Sequence, residues 1–197
     1  MRTIFEQGEF SKYKVSNLQE STSFGYETIY KFAQTETTVF ISHKHDDLED
    51  LKGIIGFLEK EYKIKVYIDS KDTTMPQKTS GVTATKIKDR IQKCDKFILL
   101  ATNGAIDSKW CNWELGYGDA QKYEKKKIAL FPMKPYGTYD SSYKGNEYMS
   151  IYPYIAYSNG EERLKNGEPI PKGYYVCTEQ ENGSINIESL QDWLKKK

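Results

Sequence analysis

Cysteine is scarce. The three in the 197-residue chain, Cys94, Cys111 and Cys177, are odd in number, widely spaced and without a C-x-x-C pair, so neither a disulfide framework nor a zinc knuckle is expected. Histidine is scarcer still. His43 and His45 form one H-x-H with no third histidine to complete a ligand set, and no metal site is expected. Long apolar runs are missing. The longest, about Phe97 to Ala101, is far short of the roughly 20 residues of a membrane span. Met1 to Gln7 contains no apolar stretch that could serve as a signal peptide, so a reducing, cytoplasmic location and no membrane partner are expected. Neither sign of charge dominates: 29 Lys and Arg face 28 Asp and Glu, for a net charge of +1. A nucleic-acid partner is therefore not implied. There is no G-x-G-x-x-G and no Walker sequence, which leaves an ordinary dinucleotide fold or a kinase-type phosphate loop unsupported.

What is present is a folded, polar domain with a modest core. Hydrophobic residues make up 38% and charged residues 29%, yet aromatics reach 14%, and disordered chains are poor in aromatics. Residues 1–37 lack a sustained period but repeat Phe and Tyr, and read as an extension packing on the core. Thr38 to Ser42 is a β-branched and aromatic run, a buried strand. Asp46 and Asp47 stand where they can cap the helix that Leu48, Leu51, Ile54, Ile55, Leu58 and Tyr62 outline. Lys65 to Asp69 is a second strand, Ser70 to Gly81 a polar loop, Val82 to Cys94 a helix, and Phe97 to Ala101 a strand buried on both faces. Asp107 or Ser108 caps a helix carrying Trp110, Trp113, Glu114 and Tyr117. Lys127 to Phe131 is a fourth strand, with Pro132 expected to stop it. The Lys122 to Lys127 cluster reads as a solvated helix end.

Alternating strands and helices predict an α/β fold, an open parallel sheet with helices on both faces. Its ligand crevice lies outside the carboxyl ends of the strands, which singles out Ser42 to Asp47, Asp69 to Gly81 and Thr102 to Trp110. From Tyr136 the pattern changes to Tyr, Gly, Ser and Pro with one short strand near Tyr152 to Ala156. A hairpin over Tyr174 to Ile187 and a helix through Leu190, Trp193 and Leu194 follow. The expected organisation is an extension over 1–37, a domain over 38–158, and a hairpin and short helix over 159–197.

The segment richest in chemistry is Ser108-Lys109-Trp110-Cys111-Asn112-Trp113-Glu114. Trp110 and Glu114 are four apart on one helix face. A carboxylate beside an indole suits a ribose attached to an aromatic base. It also suits the positive charge that grows on that ribose when its bond to the base breaks. A surface glutamate beside two packed tryptophans is the competing interpretation. Cys111, with no base placed to activate it, reads as a packed thiol.

The order Val39-Phe40-Ile41-Ser42-His43, Val66-Tyr67-Ile68-Asp69, Phe97 to Thr102, Trp110-x-x-x-Glu114 and Ile128 to Pro132 resembles the Toll/interleukin-1 receptor (TIR) domain family from about Thr38 to Pro132. The resemblance implies a flavodoxin-like three-layer sandwich, with Ser70 to Gly81 at the family's BB loop. Some TIR domains are adaptors. Others cleave NAD+ to nicotinamide and ADP-ribose or cyclic ADP-ribose isomers, through the glutamate that corresponds to Glu114. The resemblance places Ser42, His43, Lys44, Asp69 and Trp110 around the substrate, with NAD+ as substrate and no separate cofactor. The small architecture is similar to the TIR component of the bacterial anti-phage system Thoeris, which implies a diffusible cyclic signal, a separate effector protein and self-association through TIR surfaces. Two features depart from the family: His43 and His45 stand where many relatives carry arginine or tyrosine, and the chain beyond Tyr136 has no match in the core family. Two other functions stay open on the residues alone: a non-catalytic TIR interaction module, and a nucleoside glycosyl transferase or hydrolase.

Overall fold

A computed structural model describes residues 1–16, 36–68 and 80–196. These residues build one mixed sheet. Its strands are β1 (Phe5–Glu6), β2 (Thr38–Ser42), β3 (Lys65–Tyr67), β4 (Lys96–Thr102), β5 (Ile128–Lys134), β6 (Tyr154–Ser158), β7 (Gly173–Glu179) and β8 (Ile185–Ser189). The order is β3-β2-β4-β5-β6-β7-β8, and β1 pairs with β5 beside β6. From β3 through β6, and for β1, the pairing is parallel, whereas β7 and β8 are antiparallel. The helices are α1 (Leu48–Tyr62), α2 (Gly81–Lys93), α3 (Asn103–Ile106), α4 (Lys109–Lys122), α5 (Asn146–Ile151) and α6 (Leu190–Lys195). No helix among the described residues is long and apolar enough to cross a membrane.

The sheet is covered on both faces, and strand alternation decides which residue serves which layer. Val39, Ile41, Ile98, Leu100, Phe131 and Met133 pack with Leu51, Ile54, Ile55 and Leu58 of α1 and with Leu190, Trp193 and Leu194 of α6. Phe40, Phe97, Leu99 and Leu130 face the other way, onto Ile87 and Ile91 of α2 and Cys111 and Leu115 of α4. Every residue of β2, β4 and β5 is buried, as apolar runs without alternation require.

The structure revises three local expectations. Pro132 lies inside β5, opposite Ala101, and does not end it. Leu130 N–H donates to Pro153 O and Lys134 O accepts from Gln7 N–H. Backbone groups at even positions of β5 therefore turn away from β4, and Pro132 falls where β6 hands over to β1 and no ladder donor is needed. Neither Asp46 nor Asp47 caps α1 through its side chain. Asp46 pairs with Lys44 at 2.9 Å, and Asp47 is buried in a bond described below. Lys122 is not solvated: its ammonium is buried and donates to Gln92 O at 3.0 Å and Cys94 O at 2.5 Å, closing the C-terminal end of α2.

Residues 10–13 lie on α1 where Gly53 and Gly56 open a notch. A Cβ at Gly53 would stand 2.7 Å from Phe10 O, and one at Gly56 only 1.8 Å from Tyr13 O. Phe10 reaches through to Phe57 and Phe131, with centroids 5.0 and 5.3 Å away. Gln7 Nε2 and Gly8 N donate to the Asp50 carboxylate at 3.0 and 2.6 Å.

At the amino end of the sheet, Lys96 is 1% exposed and its ammonium sits 4.6 Å from the centroid of the Trp193 indole. Burial pushes its pKa down to about 8, helped by Lys127 and Lys196 and opposed by Glu188 and Asp95. The unfolded chain, with the ordinary value near 10.5, then binds more protons than the folded one between about pH 8 and 10.5. Stability should rise with pH across that window, and the full cost of the buried charge is present below it. For Lys96→Met, the stability difference from the parent in urea unfolding should shift toward the parent by about 1–3 kcal/mol from pH 7.5 to pH 10. A difference that stays constant with pH would contradict this.

Candidate active site

The carboxyl ends of β2 and β4 lie side by side, with Ser42 registered against Leu99. Ser42 shares the β2 face of Phe40 and so points toward the layer that holds α4. Ser108 starts that helix, its side chain accepting from Cys111 N. The rise of the helix then brings Glu114 under the sheet edge. Ser42 Oγ donates to Glu114 Oε2 at 2.5 Å, across 72 residues of sequence. Ser42 is 0% and Glu114 1% exposed. A carboxylate this deep is held by hydrogen bonding and not by bulk water.

His43 is buried, with Nδ1 3.4 Å from Ile41 O, while His45 is exposed. Lys44 extends toward solvent to Asp46. That bond, with the neighbouring acidic charge, raises its pKa above the ordinary lysine value. Trp110 is half-buried and stacks on Trp113, with centroids 4.9 Å apart at 28°. Trp113 continues the stack to Tyr117 at 6.4 Å, and Lys88 of α2 lies 5.8 and 5.4 Å from those two rings. Asp69 and nearly all of the loop over Ser70 to Gly81 lie outside the described residues. The structure thus brings Ser42 to Glu114 directly, and builds an aromatic ladder on the flank of the same helix.

Two buried polar residues at this edge, Asp47 and Thr102, stand at the ends of the Ser42 to Asp47 and Thr102 to Trp110 loops that the sequence singles out, and the structure joins them. Thr102, the last residue of β4, donates from Oγ1 to Asp47 Oδ2 at 2.5 Å. It also accepts from Ala105 N at 3.0 Å. Burial raises the Asp47 pKa, with Asp50 adding to the effect; the Thr102 bond, Lys44 and His43 oppose it. A threonine between a strand and Asn103-Gly104 was a readable N-cap signal. Nothing in the sequence marked its second partner.

A separate cleft of about 410 Å³ opens beside β1 and the end of β5. Its charged side chains are spent on each other, Arg2 with Glu9 and Lys134 with Glu6 and Asp140. The buried carboxylate belongs to the β2–β4 edge.

A mostly parallel sheet flanked by helices, with an acid buried at the carboxyl edge of its central strands, defines a flavodoxin-like α/β domain. The sequence profile of the TIR domain matches residues 39–164, and the chain belongs to that family. It is also similar to a protein of Bacillus cereus (strain MSX-D12) named "Probable 3' cyclic ADP-D-ribose synthase ThsB'", with 33% identity over 120 residues. That match spans 60% of this chain and 60% of the relative's length.

Proposed function

We propose that this protein cleaves NAD+ at the bond between nicotinamide and ribose and closes the remaining ADP-ribose into a cyclic isomer. The observation that carries this reading is the buried Ser42–Glu114 pair at the carboxyl edge of the sheet. The name of the Bacillus cereus relative, a cyclic ADP-D-ribose synthase, supports the same chemistry.

Nicotinamide departs as a neutral molecule from a cationic ring, so its departure needs no proton donor. The demand is to hold the ribose and to balance the positive charge that develops on it. Glu114 supplies the negative charge, and Ser42 fixes one carboxylate oxygen in place. Charge stabilisation is strongest where water is excluded, and the burial of Glu114 suits that role. His43 and Lys44 would contact the polar part of the dinucleotide and Trp110 would wall the site, and the family resemblance adds Asp69, which lies outside the described residues, to the substrate-binding set. Attack by water on the ribose carbon gives ADP-ribose and releases one proton. Attack by a hydroxyl or ring nitrogen of the folded-back nucleotide gives a cyclic product and releases one proton. The reading extends to a cytoplasmic protein whose product acts as a diffusible signal to a separate effector in antiviral defence, with self-association through TIR surfaces and no separate cofactor.

The test is incubation of the purified protein with NAD+, with nicotinamide release followed and the second product identified by mass and chromatography. A product with the mass of ADP-ribose less one water supports cyclisation. ADP-ribose alone would restrict the activity to hydrolysis, and no nicotinamide release from NAD+ would end the reading.

A further inference from the structure

The segment from Ser42 to Asp47 carries Ser42, which holds Glu114, and His43 and Lys44, which are proposed to meet the substrate, and it is anchored at both ends on different layers of the fold. At its start, Ser42 bonds to Glu114 on the α4 side of the sheet. At its finish, Asp47 bonds to Thr102 on the α1 side, where β4 presents Ile98 and Leu100. Asp47 N–H also closes the turn onto Lys44 O at 2.9 Å. The stem of Lys44 lies against Gly104, where an added Cβ would stand 3.0 Å from Lys44 Cδ. Thr102 is 1% exposed, and its hydroxyl gives its proton to Asp47 and takes one from Ala105 N–H.

We propose that Thr102 and Asp47 are positioning residues, a buried latch that holds the His43–Lys44 turn in its substrate-binding arrangement against β4 and Gly104. The inference rests on the NAD+-cleaving reading for its kinetic consequence and on geometry alone for the latch. The side-chain hydrogen bonds of both residues are spent on each other and on Ala105 N–H, and none goes to Glu114. Loss of the latch leaves the charge-stabilising carboxylate in place and lowers the fraction of protein whose first loop is ready to bind. Apparent affinity falls by that fraction. Binding then bears the cost of ordering the loop, while the step after binding is little changed.

Thr102→Val removes the donor and keeps the shape. It should raise the KM for NAD+ by about tenfold with kcat within about threefold of the parent. Thr102→Ser, which keeps the hydroxyl, should restore the parent KM, and so should Asp47→Asn, whose amide oxygen accepts the same bond. Amide hydrogen exchange at Lys44 to Asp47 should quicken by about tenfold in Thr102→Val and not in Thr102→Ser. If Thr102→Val fails to fold, Asp47→Ala supplies both readouts with the Thr102 cap on Ala105 intact. Unchanged KM and unchanged exchange in the folded variant would overturn the latch, as would a Thr102→Ser that behaves like Thr102→Val. If the parent protein does not turn over NAD+, the proposed function fails, and the exchange measurement still decides whether the latch exists.

Discussion

Glu114→Gln should reduce nicotinamide release from NAD+ by about a thousandfold or more in kcat, with KM changed little. Glutamine has nearly the shape of glutamate, and its amide oxygen accepts the hydrogen bond from Ser42 Oγ that the carboxylate accepts at 2.5 Å. The variant therefore keeps the packing of a residue only 1% exposed and loses the charge alone. Removing one preorganised electrostatic contact to a transition state costs about 10²–10³ in rate in other enzymes. Here the group removed carries a full charge in a buried setting, so the upper end of that range applies. Because the ground-state ribose carries less positive charge than the transition state, the loss belongs in kcat and not in KM. Thermal unfolding of the variant should match or exceed the parent, because a buried carboxylate costs desolvation that an amide avoids. A kcat within tenfold of the parent would show that the charge is not the source of catalysis.

Gly56→Ala should be the most destabilising single methyl that can be added to the molecule among its described helices. Helix propensity favours alanine over glycine by about 1 kcal/mol, so a free helix would gain stability. In this fold the new Cβ would stand 1.8 Å from Tyr13 O and 2.9 Å from Tyr13 C. The obstacle is main chain and cannot rotate away. Residues 10–13 must lift, and Phe10, 3% exposed in the parent, loses its seat on Phe57 and Phe131. Overpacking of this kind costs about 1–3 kcal/mol, and losing the burial of one phenylalanine adds about 1.5–3 kcal/mol. A net loss of about 3 kcal/mol or more is therefore expected in urea unfolding. Gly116→Ala is the control. It lies on an exposed position of α4 with nothing within 4 Å of the added Cβ, and it should stabilise by about 0.5–1 kcal/mol. The opposite signs separate packing from propensity; a Gly56→Ala protein as stable as its parent would mean that the arm does not rest in this notch.

The strands of the core were legible because they are apolar on both faces. A segment such as Phe97-Ile98-Leu99-Leu100-Ala101 has no polar side to give to solvent, and a parallel strand between two helical layers satisfies that demand. The helices of α1 and α2 were legible from spacing for the same reason. Asp46 and Asp47, adjacent before a helix, look alike in sequence. Which one turns outward to Lys44 and which is drawn under β4 depends on where Thr102 arrives. Lys122, a lysine among lysines, looks solvated in sequence, yet the end of α2 offers two carbonyls within its reach. Proline lacks a ladder donor, so Pro132 reads as a strand stop; the position where that donor is dispensable exists only once β1 and β6 meet β5 from the same side.

Local order and fold class followed from residue type and spacing: period 2 or 3.6, apolar runs, capping residues, and the Trp110-x-x-x-Glu114 pair as a candidate site. These depend on contacts a few residues apart. The tertiary structure alone decided that Glu114 meets Ser42, that Asp47 meets Thr102, and that Gly53 and Gly56 receive the chain near Phe10 and Tyr13. Each of those contacts joins distant segments through the stacking of whole layers, and no short-range preference carries that information.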